Sequence, residues 1–358
     1  APGARPVGRD RSGALVAAVV AVAVAVVAAS TIAVVLAVRH RAGSGPPSPP
    51  AATGTTQPPQ TTTSTAPPVA DGTYPVATTA VAAVDASIPG QGPRQLATTV
   101  FYPAASTAQG APIAHGAPFP LLVFSEGFAT APLAYQVLLT AWASAGFVVA
   151  APDYPGADPT TGPTDRGELV DEPTDLHAVV AAVAGADADA GSPLDGAVAM
   201  SAIGVVGQSD GGDVSLAVGA IVSYRVAGVG AMAVLSGAEY APFGGQYFAG
   251  PTPPLLVVQG TDDPIYNPST CSVQVYDAAP TPKYYLDLPG ATHLAPYTTG
   301  SPIEKVVAQV TTDFFELTLD HRTSAAGAMA TAGNAPGTAT LAQGGTQPGT
   351  PQPCPTAP

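Results

Sequence analysis

Hydrophobic and polar positions in the middle of the chain follow two alternating patterns. Short, nearly continuous apolar runs predict strands buried on both faces, at Thr98–Tyr102, Leu121–Phe124, Phe147–Ala151, Ile203–Val206, Gly230–Leu235, Leu255–Gln259 and Tyr284–Leu288. Longer runs with helical spacing separate several of them, at Leu133–Ala145, Thr174–Ala184, Asp210–Val222 and Ile303–Leu319. This alternation predicts an α/β domain, with a mostly parallel central sheet and helices on both of its faces.

The N-terminal part of the chain has a membrane pattern. The uncharged run Ala14–Val38 is mostly alanine and valine and is long enough to cross a bilayer as a helix. Arginines flank it on both sides, so their distribution does not decide its orientation. We expect an uncleaved signal anchor, with residues 1–13 cytoplasmic and the remainder outside the cell membrane. The alternative is a signal peptide cleaved after Val27-Ala28-Ala29, which would give a secreted protein.

Composition divides the rest of the chain into three parts. Residues 39–72 are rich in proline and threonine and predict an extended stalk. Residues 73–322 carry the strand and helix patterns and predict one globular domain. Residues 323–358 are again of low complexity, and their composition predicts disorder.

Charge excludes one class of partner. The chain has a net charge of −14, and five of its eleven Lys and Arg residues flank the apolar run. The exported part is therefore strongly acidic and has no basic stripe for nucleic acid. Asp187–Asp195 is acidic but lacks the ligand pattern of a calcium-binding EF-hand loop. We expect no metal, no cofactor and a monomer.

A candidate nucleophile lies between a predicted strand and a predicted helix. Gly207-Gln208-Ser209-Asp210-Gly211 has the spacing G-x-S-x-G. A serine hydroxyl that is exposed on a very tight strand-to-helix turn needs small residues two positions before and after it. Ser209 is therefore predicted to be a nucleophile.

A serine nucleophile needs a base and a carboxylate, and both follow in the chain. Asp262 and Asp263 come directly after the predicted strand Leu255–Gln259. His293 follows the predicted strand Tyr284–Leu288, and it is the histidine placed at the carboxyl end of a strand, where open α/β sheets form their sites.

Four motifs together resemble the α/β-hydrolase superfamily. They are SEGF from Ser125, GQSDGG from Gly207, GTDDP from Gly260 and GATHLAPY from Gly290. The chain is most similar to the branch of secreted actinobacterial cutinases, dienelactone hydrolases and platelet-activating-factor acetylhydrolases. The resemblance implies an α/β-hydrolase fold over about residues 74–320.

The same resemblance assigns roles to individual residues. It implies a catalytic triad of Ser209, His293 and Asp263, with Asp262 the less favoured acid. It also implies that the backbone N–H groups of Phe128 and Asp210 bind the oxyanion. Many members of the superfamily have histidine at the position of Glu126 and an apolar residue at that of Asp210. We expect Glu126 to be a loop residue without a role in proton transfer, and Asp210 to be a cap-like residue of the following helix.

The two cysteines, Cys271 and Cys354, are predicted to form a disulfide because the chain is exported; two free thiols are the alternative. Residues 236–254 are too few for a large lid domain. We therefore expect an open, membrane-tethered serine hydrolase that cleaves carboxylic esters of short or medium acyl chains, polyesters or envelope lipids. An acyltransferase with the same triad and a catalytically silent binding module are the alternatives.

Overall fold

The computed structural model describes residues 74–266, 268–351 and 354. These residues form a mixed α/β structure around one mostly parallel, nine-stranded sheet. The predicted anchor at Ala14–Val38 and the stalk at residues 39–72 lie outside the described residues. Within the described ranges, no helix is both long and apolar enough to span a membrane.

The sheet has a parallel centre and antiparallel edges. Its strands are β1 (Val76–Asp85), β2 (Arg94–Pro103), β3 (Phe119–Ser125), β4 (Val148–Pro152), β5 (Val198–Gln208), β6 (Val229–Leu235), β7 (Leu255–Gly260), β8 (Lys283–Leu288) and β9 (Thr340–Gln343). They lie in the order β1-β2-β4-β3-β5-β6-β7-β8-β9. The pairs β1/β2, β2/β4 and β8/β9 are antiparallel, and the pairs between β4 and β8 are parallel.

Helices cover both faces of the sheet. The α-helices are α1 (Gln136–Ala145), α2 (Glu172–Asp187), α3 (Asp210–Ala220), α4 (Val273–Ala278), α5 (Ala295–Thr298), α6 (Pro302–Thr318) and α7 (Ala325–Gly333). Apolar side chains of α2, α3 and α4 bury one face of the sheet, and those of α1, α6 and α7 bury the other. The parallel strands are apolar on both sides for this reason.

Short helical turns complete the chain. They are 3₁₀ turns at Pro132–Tyr135, Arg166–Asp171, Val222–Tyr224 and Ala241–Phe243, and a π-helical turn at Pro268–Ser272. Between β6 and β7 the chain forms only the turn at Ala241–Phe243, so this connection contains no lid of the kind found on many lipases.

Strand β1, and the elements α7 and β9 of the C-terminal segment, were not expected from the sequence. β1 is rich in alanine and threonine and lacks a strong apolar signal, yet it pairs with β2 along its whole length. The segment 323–358 was predicted to be disordered, which is wrong for its first part, because α7 and β9 lie there. Met329 and Ala339 of this segment are buried in the core, an outcome that its low-complexity composition conceals.

A disulfide joins Cys271 and Cys354, which confirms the predicted pairing. The two cysteines are 83 positions apart in sequence, and they pack with Ala238 and Tyr266. The bond therefore ties the end of the chain to the segment that follows Asp263.

We predict that Cys354→Ser lowers the free energy of unfolding by roughly 2–4 kcal/mol, because the unfolded chain loses a long covalent loop. Urea unfolding followed by the fluorescence of the single, buried Trp142 measures the change. The difference from wild type should disappear in a reducing agent. Equal unfolding midpoints without a reductant would contradict the prediction.

Candidate active site

Ser209 occupies a strained turn between β5 and α3. Its φ of 55° and ψ of −123° are rare for a residue with a side chain and indicate a conformation held by its surroundings. A Cβ atom on Gly207 would lie 2.1 Å from the Gly211 carbonyl oxygen, and one on Gly211 would lie 2.1 Å from the Ser125 carbonyl oxygen. The two glycines of the motif are thus required by direct backbone contact.

The three predicted triad residues meet in one hydrogen-bonded chain. His293 Nε2 lies 2.8 Å from Ser209 Oγ, and His293 Nδ1 lies 2.8 Å from Asp263 Oδ2. An ionised carboxylate accepts hydrogen bonds, so Nδ1 carries the proton and Nε2 is the acceptor for the serine hydroxyl. Asp263 is buried, whereas Ser209 and His293 are partly exposed. This geometry allows the serine to be deprotonated at a surface that solvent reaches.

Asp263, rather than Asp262, is the carboxylate that contacts the histidine. Burial opposes its ionisation, but hydrogen bonds from His293 and from the backbone N–H groups of Ile265 and Tyr266 outweigh burial, so its pKa lies below the usual value. Gln259 Nε2 also donates to Asp263 Oδ2 at 2.9 Å. Asp262 is exposed beside it.

The two expected oxyanion donors belong to segments that border Ser209. Asp210 is the first residue of α3, and Phe128 follows the end of β3. A Cβ atom on Gly127 would lie 3.2 Å from Ser209 Cβ, so this loop packs directly against the nucleophile. Within the described part of the chain, neither the Phe128 nor the Asp210 N–H donates a backbone hydrogen bond.

Gln208 links His293 to the loop of Gly127, a contact that the motif did not reveal. Its Nε2 donates to the backbone oxygen of His293 at 3.0 Å, and its Oε1 accepts from the Tyr135 hydroxyl at 2.8 Å. The Tyr135 hydroxyl in turn accepts from the Gly127 N–H at 3.3 Å. One side chain therefore connects three segments that are distant in sequence.

The sequence predicted that Asp210 caps the following helix, but its side chain has other partners. It is buried and forms a two-pronged ion pair with Arg166, whose Nε and Nη2 lie 2.8 and 2.7 Å from the two carboxylate oxygens. The Tyr266 hydroxyl donates at 2.9 Å to Asp213, one turn further along α3. No local motif marks Arg166 or Tyr266, because their partners are more than forty positions away.

Glu126 is more deeply buried than a loop residue is expected to be. Its side chain accepts from the Tyr154 N–H at 2.9 Å, and its second oxygen has no hydrogen-bond partner among the described residues. Burial, opposed only in part by that hydrogen bond, raises its pKa well above the usual value. Glu172 is also buried and has a raised pKa, first because of burial and second because of the Glu126 charge.

The described residues contain no group of three or more histidine, cysteine or acidic side chains that could hold a metal ion. Searches of protein-family models and of curated proteins found no match for the chain. The chemical interpretation therefore depends on the geometry of the site itself.

We predict that Glu126→Gln stabilises the protein increasingly as the pH rises. The folded state raises the pKa of Glu126, so the wild-type protein loses stability as the pH rises from the unfolded pKa towards the folded one. A neutral glutamine avoids this loss, so the variant should gain about 1.4 kcal/mol per pH unit over that window. Urea unfolding at a series of pH values from 4 to 8 measures the difference. A difference that is constant with pH would contradict the prediction.

Proposed function

We propose that the chain is a serine hydrolase of the α/β-hydrolase superfamily that cleaves carboxylic esters. The observation that carries the proposal is the ordered contact of Ser209, His293 and Asp263, with the serine on a strained turn between a parallel strand and a helix. The order of strands also supports it. The oxyanion loop, nucleophile, acid and base follow β3, β5, β7 and β8, whose carboxyl ends meet at one edge of the sheet.

The proposed mechanism is acyl transfer through a covalent intermediate. His293 accepts the Ser209 proton while the serine oxygen attacks the ester carbonyl, and Asp263 stabilises the imidazolium that forms. The Phe128 and Asp210 N–H groups stabilise the tetrahedral oxyanion. His293 then protonates the leaving alcohol, and water releases the acyl group in a second, equivalent cycle.

Exposed apolar side chains near the site favour an ester with an apolar acyl group. Phe128, Leu133, Ile265 and Leu294 are among the large hydrophobic residues that stay exposed, with accessibilities of 37%, 57%, 52% and 38%. Each lies on, or within a few residues of, a segment that carries a proposed catalytic group. Apolar surface at the entrance of an open site would bind acyl chains or an insoluble ester.

We predict that wild-type protein hydrolyses p-nitrophenyl esters and that Ser209→Ala lowers kcat by at least about 10³-fold, because the nucleophile is lost. A series of acyl chain lengths would rank the preferred esters. A fluorophosphonate probe should label wild type and not the variant. Absence of labelling and of serine-dependent turnover at every chain length would favour a catalytically silent module.

We predict that Asp263→Asn lowers kcat on the order of 10³–10⁴-fold, because the amide favours the wrong imidazole tautomer. Asp262→Asn is the matched control, since it removes an adjacent, exposed carboxylate, and it should leave kcat unchanged. Steady-state kinetics on the preferred p-nitrophenyl ester measures both variants. Equal losses in the two would argue against Asp263 as the acid.

A further inference from the structure

Asp210 places a carboxylate beside the site where negative charge develops. It follows Ser209 directly, and its backbone N–H is a proposed oxyanion donor. Its side chain is buried, with 4% of the residue accessible. Charges interact strongly in such a poorly screened environment, so an unpaired carboxylate here would oppose formation of the oxyanion. An esterase with this residue needs a way to neutralise it.

Arg166 supplies a positive charge with the required geometry. Its Nε and Nη2 donate to the two different oxygens of Asp210 at 2.8 and 2.7 Å. This two-pronged contact fixes the orientation of the carboxylate plane and also neutralises the negative charge. The Arg166 side chain is 18% accessible, and its guanidinium carbon lies 5.5 Å from the centre of the Tyr240 ring. A lysine could provide the charge but not the planar fork.

The neighbouring Asp213 shows what happens to a buried carboxyl group on this helix when hydrogen bonds, and not an arginine fork, oppose its burial: burial raises its pKa well above the usual value. It lies one turn further along α3 and is also buried. It accepts from the Ala238 N–H at 2.7 Å and from the Tyr266 hydroxyl at 2.9 Å. The acid with the guanidinium fork is the one adjacent to the nucleophile.

We propose that Arg166 is a positioning residue of the active site. It neutralises Asp210 and holds the carboxylate in the ion pair, so that the Asp210 N–H can stabilise the oxyanion without an opposing charge beside it. Arg166 begins the 3₁₀ turn Arg166–Asp171, so the pair also fixes this segment against the start of α3. The inference rests on the proposed esterase function.

The test compares Arg166→Met with the double variant Arg166→Met/Asp210→Asn in the full chain. We expect Arg166→Met to lower kcat for the preferred p-nitrophenyl ester by roughly 10–100-fold and to change KM by less than about threefold. The oxyanion forms in the transition state and is absent from the bound substrate, so the loss falls on kcat. The double variant should recover at least about tenfold over the single variant, because no charge remains to be neutralised.

An alkylboronic acid provides a second readout. Its adduct with Ser209 is a tetrahedral anion, so its inhibition constant reports on oxyanion binding and not on general stability. We expect its affinity to fall in Arg166→Met by about the same factor as kcat and to recover in the double variant. All rates are referred to the fraction of molecules that a fluorophosphonate probe labels.

Arg94→Met is the matched control. Arg94 forms a similar fork with Asp175, with distances of 2.9 and 2.8 Å, but Arg94 lies in β2 and Asp175 in α2, which carry none of the proposed catalytic groups. Arg94 also pairs with Glu168 of the turn Arg166–Asp171, so its loss loosens this turn while Asp210 keeps its arginine. This variant should lower the unfolding temperature and leave kcat per labelled site unchanged. If either methionine variant does not fold, Arg166→Gln and Arg94→Gln replace them, because glutamine also removes the charge; the Arg166 variant alone should then lose activity.

The outcomes separate the two proposals. The role of Arg166 is overturned if its variant retains wild-type kcat per labelled site, or if the double variant is no more active than the single one. A different result would overturn the esterase function itself: the wild-type protein would show no turnover that depends on Ser209.

Discussion

The turn at Ser209 is the constraint on which the rest of the site depends. The backbone is so tightly packed between β5 and α3 that a side chain on Gly207 would overlap the carbonyl oxygen of Gly211, and one on Gly211 would overlap that of Ser125. This contact forces Ser209 into a positive φ and directs the chain from the sheet into the helix. Because the neighbouring strands are parallel, the segments after β3, β7 and β8 reach the same edge of the sheet. Asp263 and His293 come within hydrogen-bonding distance of each other, and His293 of Ser209, as a consequence.

Because the protein is acidic, the arginines that pair with its buried carboxylates are important. Burial of a carboxylate costs free energy unless it is paired or hydrogen-bonded. Asp210 and Asp175 each face an arginine fork, whereas Asp263 and Asp213 accept hydrogen bonds from backbone N–H groups and from side chains that are not arginine. The position of Asp210 and Asp213 in the first turn of α3 adds the favourable field of the helix N-terminus.

The sequence predicted those parts of the site that follow from local chemistry. Ser209, Asp263 and His293 are marked by short motifs at strand ends, because a nucleophile and its partners must project from the same edge of a parallel sheet. Arg166 and Tyr266 were missed, since each acts on a residue more than forty positions away and neither lies in a motif. The burial of Glu126 was missed for a related reason. Its environment is built by Tyr154 and Glu172, which only the tertiary fold brings near.

The C-terminal segment shows how composition can conceal a structural role. β9 pairs antiparallel with β8, the strand that precedes the loop of His293, so β8 is not an exposed edge. The disulfide then joins Cys354 to Cys271, which lies in the turn Pro268–Ser272, a few residues after Asp263. The tail is thus attached to both segments that supply partners for Ser209. A low-complexity segment with few large apolar side chains contributes to the site because one strand pairing and one covalent bond add to the hydrophobic contact that Met329 and Ala339 make.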